Sequence, residues 1–278
     1  MGLTTRFIRG SLPPVVAMLA ASCSFIFEKA DGPPARPADI TSIPDAIPRD
    51  EPRSKYGNPD SYVVNGKRYY VLKNSDGYVD RGIASWYGTK FDGRRTSSGE
   101  TYNMYAMTAA HKTLPLPTYV EVTNLRNGRS IIVRVNDRGP FHENRIIDLS
   151  YAAASKLDII KTGTGLVEVR AINTSTYRLA KKSGSGGKSS IPVALKIGTV
   201  DDFFIQVGAF SSIINARKLK LRLDGGLGNS LIRISTGALN GKTIYRVQIG
   251  PINSVEKADE IVSILTRYGI MDHHIVIK

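Results

Sequence analysis

Between positions 80 and 170, short apolar runs recur, each bounded by glycine, proline or polar turn residues. Ile83–Tyr87, Tyr119–Thr123 and Ser130–Val135 are rich in β-branched and aromatic residues and read as strands, with Asn127-Gly128 between the last two as a hairpin signal. One helical pattern interrupts them at Leu149–Leu157, where Ala152, Ala153 and Ala154 favour a helix and Asp148 or Ser150 offers an N-cap. Gly165–Arg170 returns to a strand. This pattern predicts a compact β-barrel.

Beyond residue 202 the pattern repeats itself. Phe204–Phe210 aligns with Arg246–Ile252 at an offset of 42 residues, and at the same offset Asn215–Leu219 matches Lys257–Ile261. Ser212 and Ser254 fit as N-caps, so a strand-helix unit occurs twice. Leu231–Ile234 and His274–Ile277 complete a β-α-β-β-α-β order. Where Ile205, Val207, Val247 and Ile249 face the helices, Gln206 and Gln248 lie together on the other sheet face, which suits hydrogen bonding to a sugar polymer. The fold class is therefore mainly β followed by α+β.

The flanks divide the chain further. Arg6 and Arg9 precede an apolar stretch, Leu12–Ala21, too short for a spanning helix of ~20 residues and shaped like an export signal. Small residues lead into Cys23, the sole cysteine, in the manner of a bacterial lipobox; acylated Cys23 would anchor the chain on a membrane. Ser24 resembles the outer-membrane sorting class. Six prolines between 24 and 55 predict an extended tether, and Lys181–Ser190 reads as a flexible linker. The expected layout is a signal over 1–22, a lipidated Pro-rich tether over 23–55, a barrel over 56–172, a Gly/Ser/Lys-rich linker over 173–201 and the repeat domain over 202–278.

Composition narrows the function. Of 278 residues 41% are hydrophobic and 22% charged, which excludes collagen-like and wholly disordered chains. A net charge of +14 favours a polyanionic partner such as nucleic acid, anionic lipid or an acidic wall polymer. A lone cysteine excludes an intrachain disulfide, and the four histidines lack zinc-ligand spacing, so no metal or cofactor is expected. No G-x-S-x-G elbow is present. RNA recognition by the repeat domain would need aromatics on exposed strands, where only Phe204 is available, so nucleic acid is not an expected partner.

Three polar stretches carry the candidate chemistry: Thr96–Glu100, Thr108–His111 and Val135–Phe141. Asp137 follows an apolar strand, where burial would raise its pKa and fit it for general acid/base work on a glycosidic oxygen. Glu100 offers a second carboxylate to steady an oxocarbenium ion, and His111 could orient either one. An Asx-turn or an ion pair with Arg138 is the competing reading of Asp137.

Gly82–Gly88, Thr96–Glu100, Met107–Pro115, Val133–Phe141 and Arg145–Ser150 together resemble the rare lipoprotein A (RlpA) family, and the C-terminal repeat resembles the SPOR domain. The resemblance implies a six-stranded double-psi β-barrel and a module that binds peptidoglycan strands lacking stem peptides at division septa. Active members are lytic transglycosylases that cleave the N-acetylmuramic acid–β-1,4–N-acetylglucosamine bond and leave a 1,6-anhydro end. By that resemblance Asp137 is the proton donor and then acceptor, supported by Glu100 and His111, while Trp86 and Tyr87 stack on a sugar ring and Arg138, Gln206 and Gln248 bind substrate. It also implies a lipid anchor at Cys23 in the outer membrane, facing the periplasm, with divisome proteins as partners. Asp92 stands where many members carry histidine, and Asn103 where aspartate is common. Some members keep the barrel without cleaving, so the alternative is a non-catalytic septal peptidoglycan-binding lipoprotein.

Overall fold

The computed structural model describes residues 2, 31–36, 39–142, 144–182, 203–227 and 231–277. The export signal, Cys23 and most of the Gly/Ser/Lys-rich linker lie outside the described residues. A small hairpin comes first, β1 (Ser61–Val64) and β2 (Lys67–Tyr70), in antiparallel register with Val64 opposite Lys67. Asn65 and Gly66 close it with φ of 50° and 76°, the left-handed pair that a two-residue turn demands.

Six strands then form a closed barrel: β3 (Val79–Tyr87), β4 (Thr108–His111), β5 (Thr118–Asn124), β6 (Ser130–Asp137), β7 (Arg145–Ser150) and β8 (Gly165–Ala171), in the order β3-β7-β4-β6-β5-β8. β3 with β7 and β4 with β6 pair in parallel, and the remaining neighbours are antiparallel. Alternate residues fill the interior, among them Ala84, Ala109, Val120, Val122, Val133, Val135, Ile147, Leu149, Val167 and Val169. The expected helix is shorter than its pattern: α1 spans Tyr151–Lys156, because Leu149 and Ser150 belong to β7. Of the two candidate caps, Ser150 is used, its hydroxyl accepting the Ala153 N–H, which leaves Asp148 free for other work.

The described residues between 31 and 55 form no strand or helix, in keeping with their prolines, yet they do not hang free. Asp31 accepts N–H bonds from Gly88 and Lys90, and Ile40, Ile43 and Ala46 pack on the barrel core. Asp45 pairs with Lys156 at 2.8 Å and accepts the Ile132 N–H, while the Ala46 N–H binds the Ile132 carbonyl. Ser54 ties down both Leu116 and Ser98. The extended tether expected here is, from residue 31, a strap: acidic side chains spaced along it satisfy backbone donors that the barrel would otherwise expose.

The stretch expected as linker opens with a helix, α2 (Thr174–Lys182), because Asn173 caps it through its side chain and the Thr176 N–H. Beyond lie β9 (Phe203–Phe210), α3 (Ile213–Leu227), β10 (Ile232–Leu239), β11 (Lys242–Ile252), α4 (Val255–Arg267) and β12 (His274–Ile277). They realise the β-α-β-β-α-β order as an antiparallel sheet, β10-β11-β9-β12, whose Ile205, Val207, Val247 and Ile249 pack with Ala216 and Leu223 of α3 and Ala258, Ile261 and Leu265 of α4. The Ser254 hydroxyl caps α4 by accepting the Lys257 N–H.

Candidate active site

The loop 96–100 folds onto the end of β6 and brings two of the three expected residues together. Ser97 donates its N–H and hydroxyl to Asp137 Oδ1 at 2.7 and 2.6 Å, and the Arg138 N–H adds a third bond at 2.7 Å. Three donors on one oxygen suit a carboxylate acceptor. No hydrogen bond among the described residues reaches Oδ2. Three residues after Ser97, Glu100 accepts three bonds from β6: Arg134 Nη1 at 2.8 and 2.9 Å and Asn136 Nδ2 at 2.8 Å. Burial alone would push the Glu100 pKa up, but the bonds from Asn136 and Arg134 and the Arg134 charge outweigh it and lower the pKa.

Arg134 is shared. Its Nε and Nη2 bind Glu51 of the strap at 3.1 and 2.8 Å, so one guanidinium bridges a strap carboxylate and a site carboxylate. Burial acts to raise the Glu51 pKa, yet hydrogen bonds from Arg134, Tyr119 and Arg49 bring it down to about 2.

His111 does not join them. In β4 it pairs with Ile147, an interior position, so its ring lies on the strand face opposite Ala110 and is only 3% exposed. Nδ1 accepts the N–H groups of Thr113 and Leu114 at 3.1 and 3.0 Å, which leaves the proton of the neutral ring on Nε2, donated to the Tyr78 hydroxyl at 2.9 Å. Burial first, then the charges of Arg138 and Lys112, lower its pKa to about 3. His111 therefore holds the 112–116 loop as a neutral side chain.

Arg138 is likewise committed. Its guanidinium donates to the carbonyls of Gly57, His111 and Leu114 at 2.8, 3.1 and 2.6 Å, and forms no ion pair with Asp137 among the described residues. The ion-pair reading of Asp137 thus finds no support, and Arg138 serves the loops around the site. Trp86 packs edge-on to Tyr151 at 5.8 Å and against the barrel core, while Tyr87 lies 4.2 Å from Tyr102 in a cluster with Met104 and Ala110 on the outer face, so both rings are engaged. In the second domain Gln206 and Gln248 are neighbours, as expected from the repeat, but they are 8% and 2% exposed. Gln248 Nε2 donates to Gln206 Oε1 at 3.4 Å, and Gln248 Oε1 accepts from Arg233 and Ser235.

One acid escaped the sequence reading except as a possible cap. Asp148 of β7 lies opposite Ala110, which lies opposite Asp137, so register aligns Ser85, Asp148, Ala110 and Asp137 across four strands on the outer face. The Ser85 hydroxyl donates to Asp148 Oδ1. Burial raises the Asp148 pKa; the Ser85 bond and the charges of Arg145, His142 and Lys112 oppose that shift without cancelling it. Among the described residues no three His, Cys, Asp or Glu side chains gather as a metal site.

A closed six-stranded barrel with two parallel pairs and acidic residues along one outer rim, followed by a β-α-β-β-α-β domain, defines a double-psi barrel protein of the lytic-transglycosylase type with a SPOR module. Family profiles agree: one described as lytic transglycolase matches residues 79–170, and the SPOR domain profile matches residues 199–276. The endolytic peptidoglycan transglycosylase RlpA of Pseudomonas aeruginosa is 39% identical over 274 residues, covering 83% of this chain and 79% of that protein. The protein of the same name from Vibrio cholerae is 56% identical over 142 residues, covering 51% of this chain and 54% of its own length. The solved RlpA SPOR domain of Pseudomonas aeruginosa aligns with 27% of this chain and 99% of its own, at 26% identity and a TM-score of 0.26. The chain belongs to the RlpA family.

Proposed function

We propose that this protein is an endolytic peptidoglycan transglycosylase that cleaves the N-acetylmuramic acid–β-1,4–N-acetylglucosamine bond of glycan strands lacking stem peptides. The observation that carries this reading is the joint docking of Glu100 and Asp137 by one loop at the open end of β6. Two carboxylates there oppose the positive charge that builds on the sugar as its C1–oxygen bond stretches. Asp137 Oδ2 is available to take the proton of the muramic C6 hydroxyl as that oxygen attacks C1. The attack is intramolecular, so no water has to be positioned. His111 and Arg138 support the reaction by fixing the loops that flank Asp137.

The SPOR module supplies the affinity for denuded glycan, with Gln206, Gln248 and Arg233 shaping its sheet face. Acylated Cys23 holds the protein on the periplasmic side of the outer membrane, and the glycan recognised by the SPOR module concentrates it at the septum. The layout over 1–22, 23–55, 56–172, 173–201 and 202–278 stands as the processing and domain scheme, with 31–55 strapped to the barrel.

The test is mass spectrometry of soluble products from amidase-treated peptidoglycan incubated with the full chain or its Asp137→Asn variant. Anhydromuramyl ends are expected from the unaltered chain and reduced roughly 10²- to 10⁴-fold in the variant, the usual span for loss of an acid/base group. Binding of glycan by both with product from neither would replace this reading with that of a septal binding lipoprotein.

A further inference from the structure

Transglycosylation needs a group that is protonated at neutral pH, and the docked pair is poorly suited to be that group. Glu100 is held as an anion by Arg134 and Asn136, and Asp137 Oδ1 collects three donors. We infer that Asp148 is the proton donor for the departing sugar, acting across Ala110 from Asp137; the inference rests on the transglycosylase reading above.

The geometry is that of two carboxyl groups on one outer face of the barrel, both partly exposed. Asp148 and Asp137 flank Ala110 on neighbouring strands, so their Cα atoms stand two strand spacings apart, roughly 10 Å. A separation of this order suits paired carboxyl groups that act on one glycosidic bond from two sides. Ala110 between them is buried beneath Gly139. Gly139 also borders the acid: a Cβ at that position would lie 3.7 Å from the Ala110 Cβ and 3.8 Å from Asp148 Oδ2, and its φ of +140° is one that glycine alone adopts readily. A side chain there would cover the carboxyl; glycine leaves it open. Ser85 occupies Oδ1, so the acidic proton belongs on Oδ2, the oxygen that faces Gly139, where no hydrogen bond among the described residues competes for it. Burial raises the Asp148 pKa, which fits a carboxylic acid that still carries its proton as the reaction begins.

The step balances. The Asp148 Oδ2 proton passes to the glycosidic oxygen, which leaves with the electron pair of its bond to C1. The C6 oxygen forms the new bond to C1, and its proton goes to Asp137 Oδ2. Asp148 ends as a carboxylate and Asp137 as an acid, and one proton returned through solvent restores both.

The test uses the full chain on amidase-treated peptidoglycan, with anhydromuramyl ends as readout. Asp148→Asn should lower product roughly 10²- to 10⁴-fold while glycan pull-down is unchanged. Ser85→Ala gives a readout that a structural role would not move. The Ser85 bond favours the ionised form, so its loss should shift the alkaline limb of kcat to higher pH. The groups that surround Asp148 and must be constant in that comparison are Tyr87 on β3, Lys112 after β4, Asp137 on β6, and His142 and Arg145 leading into β7. Product at the unaltered rate from Asp148→Asn overturns the inference alone, as does an unmoved alkaline limb in Ser85→Ala, even where Asp148→Asn fails to fold. Absence of product from the unaltered chain overturns the transglycosylase reading instead.

Discussion

In the C-terminal sheet, Arg233, Gln248 and Gln206 stand in register on adjacent strands and bond to one another; in the barrel, Ser85, Asp148, Ala110 and Asp137 stand in register and leave two carboxyl oxygens without described partners. The first row comes from a repeat and is visible as such along the chain. The second joins residues up to 63 positions apart and has no repeat behind it. A patterned pair is thus saturated, and an unpatterned row keeps its chemistry open. Buried amides must find partners, and two glutamines placed opposite each other find them in themselves. Carboxyls on an outer barrel face can turn one oxygen inward and keep the other for a ligand.

The contrast is sharpest at Arg138. Its guanidinium ties three carbonyls around the acidic row, so Arg138→Ala should cost about 2–4 kcal/mol in urea unfolding, and Arg138→Lys should recover little because an ammonium cannot span three acceptors in a fork. Gln248→Ala should cost less, about 1–3 kcal/mol, by leaving the Gln206 oxygen and Arg233 unpaired; an intact transition of the C-terminal domain would show that the amide row is not saturated after all.

A pH test follows at His111. Its pKa falls from 6.5 to about 3 on folding, so the unfolded chain binds a proton that the folded chain refuses. Stability from this residue is complete above about pH 6.5 and drains away as pH falls toward 3; His111→Gln should flatten that slope in urea titrations across the window. Had His111 been paired with a carboxylate, its pKa would be raised on folding and the slope would run the other way, with stability gained as pH falls. The smallest effect belongs to Glu51→Gln, about 1 kcal/mol at neutral pH for a partly exposed pair, growing smaller as pH drops through about 4.5 to 2, where the natural carboxylate itself becomes protonated.

Much of the barrel was legible because β-branched runs such as Ser130–Val135 can bury alternate residues in only one way. The repeat domain was legible for its matched spacing. Asn65-Gly66 carries the same turn signal as Asn127-Gly128, but its strands are four residues long and hold Lys67 and Arg68, so periodicity gave it no support. Glu100 and Asp137 were found as acids in turn-rich motifs, and the loop 96–100 bonds to the end of β6 through both. The face that His111 takes was not legible, because a histidine after Ala109-Ala110 shows no face until β4 is paired with β7. Asp148 was hidden for the same reason: beside Ser150 it looks like a cap, and only the parallel pairing of β3 with β7 gives it Ser85.

The strap over 31–55 sets the scale on which this enzyme is one object. The family profile begins at Val79, yet Arg134 of β6 needs Glu51, the Gly88 and Lys90 amides need Asp31, and the Ser98 carbonyl of the acid-bearing loop needs Ser54. Fragments cut at the profile's edges would carry every candidate acid and its direct hydrogen-bond partners but lose the strap contacts behind them. The profile begins at Val79, and the compact body that holds it begins at Asp31, nearly fifty residues earlier.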